Sequence, residues 1–258
     1  ERHVYEVGAR LAKRENKVTV LTEKYDRNLR NKEIKNGIKI IRFSYPKIKF
    51  LGLLYIWFRL FKIRSLIKKA GIIHCHDVFV WYLPFRFLYP KKVVYTTFHG
   101  WEGIYPIPLK NIFLKKLSAR LSRRNICVGE FIEKYYRVKA DTITYGAVST
   151  PLGRSVKKDK KCIVYLGRLE EDTGLPIFLK ALIKLPNKKI VFCGDGKLKR
   201  KCETFGRVLG FVDPSPFVSR SYICFASGYL SILEGIANKC LVIVSYNNKL
   251  KEDYYNLT

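Results

Sequence analysis

The chain has 258 residues, enough for two modest domains, and its 48% hydrophobic and 28% charged residues are typical of a packed globular protein. Disordered and collagen-like classes are therefore excluded. Lysine and arginine number 50 against 21 aspartates and glutamates, and the resulting net charge of +29 indicates a polyanion or an anionic surface as a partner.

Short β-branched runs alternate with segments of helical periodicity, which is the pattern of an α/β fold with buried parallel strands. The strands predicted in the first half are Lys17–Leu21, Ile38–Phe43, Ile72–Cys75, Lys92–Thr96, Ile126–Val128 and Thr142–Tyr145. Those predicted in the second half are Cys162–Leu166, Lys189–Cys193, Arg207–Phe211, Tyr222–Phe225 and Leu241–Ser245. A polar stretch rich in proline, glycine and lysine at 149–161 separates them, so the sequence predicts two domains, 1–150 and 151–258.

The cysteines and the apolar runs limit where the protein works. Its seven cysteines form no CxxC pair and are odd in number, which argues against a disulfide framework and favours a reducing compartment. The most apolar run, 50–63, is about 14 residues long and contains Arg59 and Lys62, whereas a bilayer-spanning helix needs roughly 20 residues. The chain lacks methionine and begins at Glu1 inside a predicted helix, so we expect a fragment.

Positive charge is concentrated in the first half. Between residues 42 and 124 there are 17 basic residues, against two acidic ones. Amphipathic basic helices can lie on anionic lipid, where each lysine or arginine contributes about 1 kcal/mol. We therefore predict docking on an anionic membrane by the segment 50–70 and by the helix 111–124, with core-facing helices that expose a basic side as the alternative. In the second helix one face would hold Phe113, Leu117 and Leu121.

Three strand-to-helix corners in the second half carry polar or glycine residues. Arg168 follows the strand that ends at Leu166, and Gly194 with Gly196 follows the strand 189–193, where glycine allows close approach of a ligand. The third corner runs from the strand 222–225 into a helix whose first N–H groups would face an anion. Ligands of doubly wound sheets bind at the carboxyl ends of strands. The sequence thus predicts an anion-binding site at these corners.

In this order, and after a separate α/β half, the corners resemble the group-4 family of retaining glycosyltransferases (glycosyl transferases group 1), in an archaeal or bacterial form truncated at both ends. The motifs that carry the resemblance are Glu1–Glu6, Ile72–Asp77, Thr96–Gly100, Gly167–Leu169 and Glu234–Ala237. The resemblance implies the GT-B architecture: two Rossmann-like parallel-sheet domains facing across a cleft, here without the first strand and the C-terminal helices. The first would bind the acceptor and the second the nucleotide sugar.

The resemblance also implies an activity, a hexosyltransferase reaction. A sugar would move, with retention and without metal or cofactor, from a nucleotide diphosphate donor to a lipid-linked, lipid or polysaccharide acceptor. Fixed positive groups would stabilise the charge that grows on the leaving phosphate. By the motif matches, His99 and Arg168 would be catalytic, and His76, Asp77 and Gly100 would lie near the acceptor or the sugar. The donor would be bound by Arg168, Thr173, Gly194, Gly196, Gly228, Tyr229, Leu230 and Glu234.

Two positions depart from the family pattern. Thr173 stands where the family has a lysine, and Ala226 stands where it has a second glutamate. Alanine accepts no hydrogen bond, so the donor-sugar hydroxyls must be bound otherwise. Two alternatives to the enzyme therefore stay open: a catalytically weak or silent sugar-nucleotide binder, and a nucleic-acid binder suggested by the charge alone.

Each candidate site residue could also have a purely structural role. His74 and His76 could form strand-end hydrogen bonds or a metal pair with Asp77. His99 could be a turn histidine, Arg168 an exposed strand-end residue, and Glu234 a surface partner of a lysine. The cysteine content and the basic aromatic surface favour a cytoplasmic protein, peripheral on the inner face of the cell membrane. We expect no nucleic-acid partner, and the oligomeric state stays open.

Overall fold

The computed structural model describes residues 2–100, 102–148, 156–185 and 187–256, within which twelve strands and eleven α-helices occur. The strands are β1 (Thr19–Glu23), β2 (Lys32–Lys35), β3 (Ile38–Phe43), β4 (Ile72–His76), β5 (Val93–Phe98), β6 (Arg124–Val128), β7 (Thr142–Thr144), β8 (Asp159–Leu166), β9 (Lys189–Cys193), β10 (Arg207–Gly210), β11 (Ser221–Ala226) and β12 (Leu241–Ile243). The helices are α1 (Arg2–Lys13), α2 (Lys49–Lys62), α3 (Arg64–Lys69), α4 (Phe79–Leu88), α5 (Leu109–Leu121), α6 (Phe131–Tyr136), α7 (Leu175–Ile183), α8 (Lys199–Glu203), α9 (Ser215–Val218), α10 (Tyr229–Ala237) and α11 (Lys249–Asn256).

The chain forms two compact units. The first comprises Glu1–His99, Phe113–Ile126 and Lys139–Asp141, and the second comprises Gly100–Ile112, Cys127–Val138 and Thr142–Thr258. The predicted boundary between residues 150 and 151 falls at 149–155, outside the described residues, and stays a prediction.

Two small sheets occur before residue 145. In one, with the order β1-β3-β2, β1 runs parallel to β3 and β2 runs antiparallel to it. The other has the order β4-β5-β6-β7, and β4 is parallel to β5, with His76 opposite Thr97. The hydrophobic core of the first unit is formed by α2, α4 and these strands. Its fully buried residues include Phe43, Ile56, Phe79, Phe85 and Val94.

The second unit is built on one five-stranded parallel sheet with the order β10-β9-β8-β11-β12. The chain first moves outward from β8 to β10 and then returns to place β11 on the other side of β8. The pair β8 and β11 is therefore the topological switch point, where a crevice for ligands opens at the carboxyl ends of the strands. Leu166 and Ala226 lie opposite each other at these ends.

Four aromatic side chains fill the core beneath this crevice. Tyr165 of β8 stacks on Phe225 of β11 with ring centroids 5.7 Å apart and an interplanar angle of 16°. Phe178 of α7 packs against Phe225 with centroids 4.4 Å apart, and Phe192 of β9 closes the group. Stacked aromatic pairs contribute about 0.5–1.5 kcal/mol beyond their burial, so this cluster fixes the strand ends that carry the candidate site.

All eleven predicted strands are confirmed, with ends that differ by up to three residues. Strand β2 was not predicted, because its sequence Lys-Glu-Ile-Lys contains one apolar residue, and Ile34 is 79% exposed at the edge of its sheet. The predicted helix 111–124 ends at Leu121, and its expected apolar face is buried only in part: Leu121 packs against the core of the first unit and Leu117 is half-buried. In α5 the most buried side chains are Lys115 and Ser118, whereas Phe113 is exposed, because Lys115 turns inward to pair with Asp77.

Close backbone packing at the strand ends requires glycine. A Cβ at Gly194 would lie 1.8 Å from the carbonyl oxygen of Gly167, and a Cβ at Gly167, whose φ is +139°, would lie 1.6 Å from Ser227 Oγ. The space that we expected a ligand to use at Gly194 is therefore filled, on its Cβ side, by protein atoms.

We expect Gly194→Ala to lower the free energy of unfolding by about 1–3 kcal/mol, because the added methyl group must displace a backbone carbonyl. Denaturant unfolding followed by circular dichroism measures this. The matched control is Gly71→Ala, where a Cβ meets nothing within 4 Å and the change should stay below about 1 kcal/mol. Equal stability of the two variants would contradict the packing argument.

Candidate functional site

Arg168 leaves the carboxyl end of β8 with 63% of its side chain exposed. Its Nη2 donates to Asp172 Oδ2 at 2.7 Å, which holds the guanidinium at the strand end. The two side chains line an open pocket of about 380 Å³, and the other lining residues are Glu102, Gly103, Glu170, Glu171 and Lys197. Arg168 is thus exposed, charged and oriented at the topological switch point.

Thr173 is enclosed by protein, although it stands where the family lysine was expected. The residue is 2% exposed, and its hydroxyl donates to the Glu170 carbonyl oxygen at 2.6 Å. Tyr165 Oη lies 2.8 Å from the same hydroxyl and 2.9 Å from the Arg168 carbonyl oxygen. The threonine therefore braces the loop that carries Arg168, and its side chain has no open side for a ligand.

The start of α10 adjoins the Arg168 loop across the β8–β11 pair. Ser227 N–H donates to the Leu166 carbonyl oxygen at 3.1 Å, and Gly228 is the N-cap of the helix. The first helical N–H, that of Tyr229, donates to Tyr254 Oη at 2.9 Å. A phenol oxygen from α11 thus occupies one of the donors that we predicted for a phosphate. Leu230 follows in the same turn, half-buried.

Lys251 of α11 is a buried cation that sequence reasoning missed. The residue is 6% exposed, and its Nζ donates to the Ser227 carbonyl oxygen at 3.2 Å. Nζ also lies 4.7 Å and 5.0 Å from the ring centroids of Tyr254 and Tyr255. Burial lowers the pKa of Lys251 to about 8; the Asp172 carboxylate opposes this shift and the Arg168 guanidinium adds to it. Charges of the Arg168 loop therefore reach this ammonium.

Helix α11 is anchored to α6 by a carboxylate. Asp253, whose side chain is 8% exposed, accepts hydrogen bonds from Lys134 Nζ at 2.5 Å and Tyr135 Oη at 2.8 Å. These bonds hold the pKa of Asp253 below its usual range. Tyr254 also packs edge-on against Phe131, with centroids 5.0 Å apart. The position of Lys251 is therefore fixed by contacts on the other face of its helix.

Glu234 lies in α10, half-buried, on the helix that follows β11. Burial first and the charge of Glu234 second raise the pKa of Cys193 to about 11, which locates the carboxylate near the end of β9. Among the described residues, it does not line the pocket that contains Arg168. Gly196 lies in the loop after β9, and a Cβ there would be 2.5 Å from the Leu169 carbonyl oxygen.

The first unit contains a cluster of histidines at the ends of β4 and β5. His76 Nδ1 lies 2.8 Å from His99 Nε2, and His74 Nε2 lies 2.7 Å from Thr97 Oγ1. Burial is the largest cause of the low pKa values, about 3 for His76 and about 4 for His99. Both rings are therefore neutral at physiological pH and act through hydrogen bonds instead of charge.

A different set of residues from the predicted one could hold a metal. His3, His76 and His99 each offer a nitrogen, and these atoms lie within 4.8 Å of one another. Asp77, which the sequence offered for a metal only as an alternative to strand-end hydrogen bonding, accepts the His99 backbone N–H at 3.1 Å and pairs with Lys115 at 3.4 Å. Its φ of +59° is in the left-handed region, which aspartate tolerates better than most residues.

Gly100 follows His99, and a Cβ there would meet nothing within 4 Å. Its backbone therefore borders open space, as an acceptor-side position requires. The structure thus brings together His76, Asp77 and His99 in one unit, and Arg168, Tyr229 and Lys251 in the other.

The sequence of the first half decides the family. The family model of Glycosyltransferase Family 4 matches residues 1–142. The chain belongs to glycosyltransferase family 4. This match confirms the resemblance drawn from the motifs, and with it the prediction of a glycosyltransferase. None of the curated proteins matches the family 4 chain by sequence.

Solved structures share the fold of this family 4 chain. A glycosyltransferase from Rickettsia africae ESF-5 has a TM-score of 0.63 and 17% identity, over 93% of this chain and 74% of that one. HepE of Anabaena, in complex with UDP and glucose, has a TM-score of 0.59 and 14% identity, over 80% and 67%. A point mutant of S. aureus TarM, in complex with Fondaparinux, alpha-GlcNAc-glycerol and UDP, has a TM-score of 0.59 and 12% identity, over 80% and 51%.

The chain spans about half the length of TarM and three quarters of the Rickettsia protein. At these identities the likeness establishes the fold alone, and it confirms the predicted GT-B class with its two Rossmann-like sheets. Every helix in the described residues is too short or too polar to cross a lipid bilayer.

The burial of Lys251 predicts a pH dependence of stability. Its pKa is lower in the folded chain, about 8 against the ordinary value of 10.5 for lysine. Between these values the unfolded state binds more protons, so folding becomes more favourable as the pH rises. Relative to Lys251→Met, the wild type should gain up to about 1.4 kcal/mol per pH unit from pH 8 to 10. Denaturant titrations at several pH values measure this.

The control is Lys249→Met, from the same helix. Lys249 is 61% exposed, and the hydrogen bond that it donates to the Glu252 carboxylate raises its pKa. Relative to Lys249→Met, the wild type should show no such gain in the free energy of unfolding between pH 8 and 10. If wild type and Lys251→Met keep a constant difference across this range, the ammonium is not buried as described.

Proposed function

We propose that the chain transfers a sugar from a nucleotide diphosphate donor to a lipid-linked, lipid or polysaccharide acceptor, with retention of configuration and without a metal. The single observation that carries the proposal is the β8–β11 switch point, where the Arg168 guanidinium and the start of α10 adjoin. Family membership supports the chemistry, and UDP is bound in the HepE and TarM complexes.

The chemical step needs positive charge at the leaving group. When the bond between the anomeric carbon and the phosphate oxygen breaks, negative charge grows on the departing diphosphate. A guanidinium can bind two phosphate oxygens at once, and N–H dipoles at a helix start favour an anion. In this proposal Arg168 exchanges Asp172 for the diphosphate, which places charge where a metal ion would otherwise be needed.

The histidine cluster would serve the acceptor side. His99, His76, Asp77 and Gly100 lie at the carboxyl ends of β4 and β5, and both histidines are neutral at physiological pH. A neutral imidazole hydrogen-bonds to sugar hydroxyls without adding charge that would compete with the phosphate-binding groups. The proposal therefore assigns positioning of the transferring sugar to His99.

A weak or silent sugar-nucleotide binder is the second candidate, and two observations favour it. Ala226 is 0% exposed, so no acceptor for donor-sugar hydroxyls stands at that strand end. The Tyr229 N–H is already bonded to Tyr254 Oη. Binding without turnover would follow if these features leave the sugar unpositioned.

The donor site is tested by thermal stabilisation with a panel of sugar nucleotides, followed by calorimetry. Arg168→Ala should weaken binding of the active donor by at least about tenfold, because a hydrogen bond to a charged group contributes about 1.5–3 kcal/mol. Glu234→Ala should weaken donor binding to a similar extent if the Glu234 carboxylate accepts hydrogen bonds from the ribose hydroxyls. Arg200→Ala, an exposed arginine of α8, is the control and should bind like the wild type.

Two results would contradict this assignment. If the wild type binds none of the sugar nucleotides, the proposed function is wrong. Unchanged donor affinity in both Arg168→Ala and Glu234→Ala would contradict the proposed donor site, although the fold would still stand. Radiolabelled sugar transfer to water or to a lipid acceptor separates the enzyme from the silent binder, since the latter binds without product.

The acceptor class is supported by an apolar surface on α2. Five side chains on this helix are exposed, with Phe50 at 77%; the others are Leu51, Leu54, Phe58 and Phe61. The opposite face buries Ile56 and Leu60 in the core, so core packing accounts for one side of α2 only. Lys62 and Arg64 lie over the rings of Phe58 and Phe61, at 4.4 Å and 4.7 Å from their centroids.

Apolar side chains ringed by lysine and arginine match an anionic lipid surface, in which the rings enter the headgroup boundary and the charges pair with phosphates. We assign α2 to this role, at the inner face of the cell membrane. Residues Arg59, Lys68 and Lys69 extend the positive rim on α2 and α3.

We expect wild type to float with vesicles of phosphatidylcholine and phosphatidylglycerol and to float less with phosphatidylcholine alone. The double variant Phe50→Ser with Phe58→Ser should lose most of this binding, because it removes the largest inserted side chains. Phe211→Ser, which changes an 82% exposed phenylalanine of the second unit, is the control. Equal recovery with both vesicle types would remove the lipid surface as a partner.

A further inference from the structure

Lys251 is a buried ammonium, and no residue that the structure describes pairs with it through a carboxylate. Among the described residues its Nζ has one hydrogen-bond acceptor, the Ser227 carbonyl oxygen, and no carboxylate lies within ion-pair distance. An ammonium has three donors, and an uncompensated buried charge costs several kcal/mol. Aromatic rings at 4.7 Å and 5.0 Å offset part of this cost. Such an arrangement is expensive for stability alone and is suited to receiving an anion.

The ammonium lies at the corner where the candidate site is built. Ser227, whose carbonyl oxygen it contacts, precedes the N-cap of α10, and the Ser227 side chain abuts Gly167, the residue before Arg168. The Tyr229 N–H, the first of helix α10, donates a hydrogen bond to the hydroxyl of Tyr254, which lies about one helical turn after Lys251 in α11. A single helix thus brings a cation and a phenol to the β8–β11 switch point.

The loop after β8 does not supply a second cation to this corner. The position of the family lysine is Thr173, which is 2% exposed and hydrogen-bonded within its own loop. A lysine placed there would have to bury its charge against Tyr165. A diphosphate carries more negative charge than Arg168 alone can balance, and the other cation that lines the Arg168 pocket, Lys197, is 89% exposed and lies 4.0 Å from the Glu170 carboxylate.

We propose that Lys251 binds the diphosphate of the donor together with Arg168, so that helix α11 supplies the positive charge that the β8 loop lacks. This inference rests on the proposed function. The flexible stem of the lysine allows Nζ to swing from the Ser227 carbonyl oxygen to a phosphate oxygen. Asp253, held by Lys134 and Tyr135, keeps the helix in place while the side chain moves.

The test compares wild type, Lys251→Met and the control Lys249→Met by calorimetry, with UDP, GDP and the nucleosides uridine and guanosine as probes. Lys251→Met should weaken binding of the diphosphate by about tenfold or more, because one charged hydrogen bond is lost. Binding of the matching nucleoside should stay within about twofold, since the lysine contacts only phosphate. Lys249→Met should bind all probes like the wild type.

The outcomes separate this inference from the proposed function. If wild type binds neither diphosphate, both fail. If wild type binds one and Lys251→Met binds it equally well, the inference alone fails. If nucleoside and diphosphate affinities fall together, Lys251 acts by holding the fold and the inference also fails.

A second measurement covers the case in which Lys251→Met does not fold. Calorimetry of the wild type at pH 8, in buffers of different ionisation enthalpy, reports protons bound with the ligand. Because burial lowers the pKa of Lys251 to about 8, diphosphate binding at this pH and at pH 9 and 10 should take up protons as the lysine becomes charged. No uptake would overturn the inference.

Discussion

The candidate donor site depends on one pairing, that of β8 with β11. Parallel hydrogen bonds set Leu166 opposite Ala226, and this register brings the Arg168 loop beside the start of α10. The pairing is tight because Gly167 has no side chain; Ser227 Oγ occupies the space where its Cβ would be. Arg168 and the start of α10 take their positions from these two strand ends, and the aromatic core beneath them makes the register costly to change.

In our proposal a second cation explains how the site can lack the family lysine and still bind an anion. Arg168 is held by Asp172, and an ammonium enters from α11, far along the chain. The position after β8 that holds a lysine in the family is Thr173 in this chain. Its hydrogen bonds with Tyr165 and with the Glu170 carbonyl oxygen stabilise the loop. A site of this kind keeps its charges but changes which element delivers them, so a missing motif residue is weak evidence for a lost activity.

The two faces of α2 illustrate how one helix combines folding with recognition. Ile56 and Leu60 complete a core, whereas Phe50 and Phe58 remain exposed beside basic side chains. Exposing several large apolar side chains in one stripe is unfavourable in water. In our proposal a lipid surface covers this stripe, and its headgroups would also supply anions for the excess positive charge of the chain.

The sequence by itself determined the α/β class, eleven strands, the three corners and the family, because β-branched runs and motif order are local properties. It could not find β2, whose pairing depends on β3 and not on its own apolar content. Only the tertiary structure decided that Thr173 is buried, that α5 turns Lys115 inward, and that Lys251 lies against Ser227. Burial and proximity arise from packing between segments distant in sequence, and no local pattern in the polar helix α11 records which of its lysines faces Ser227.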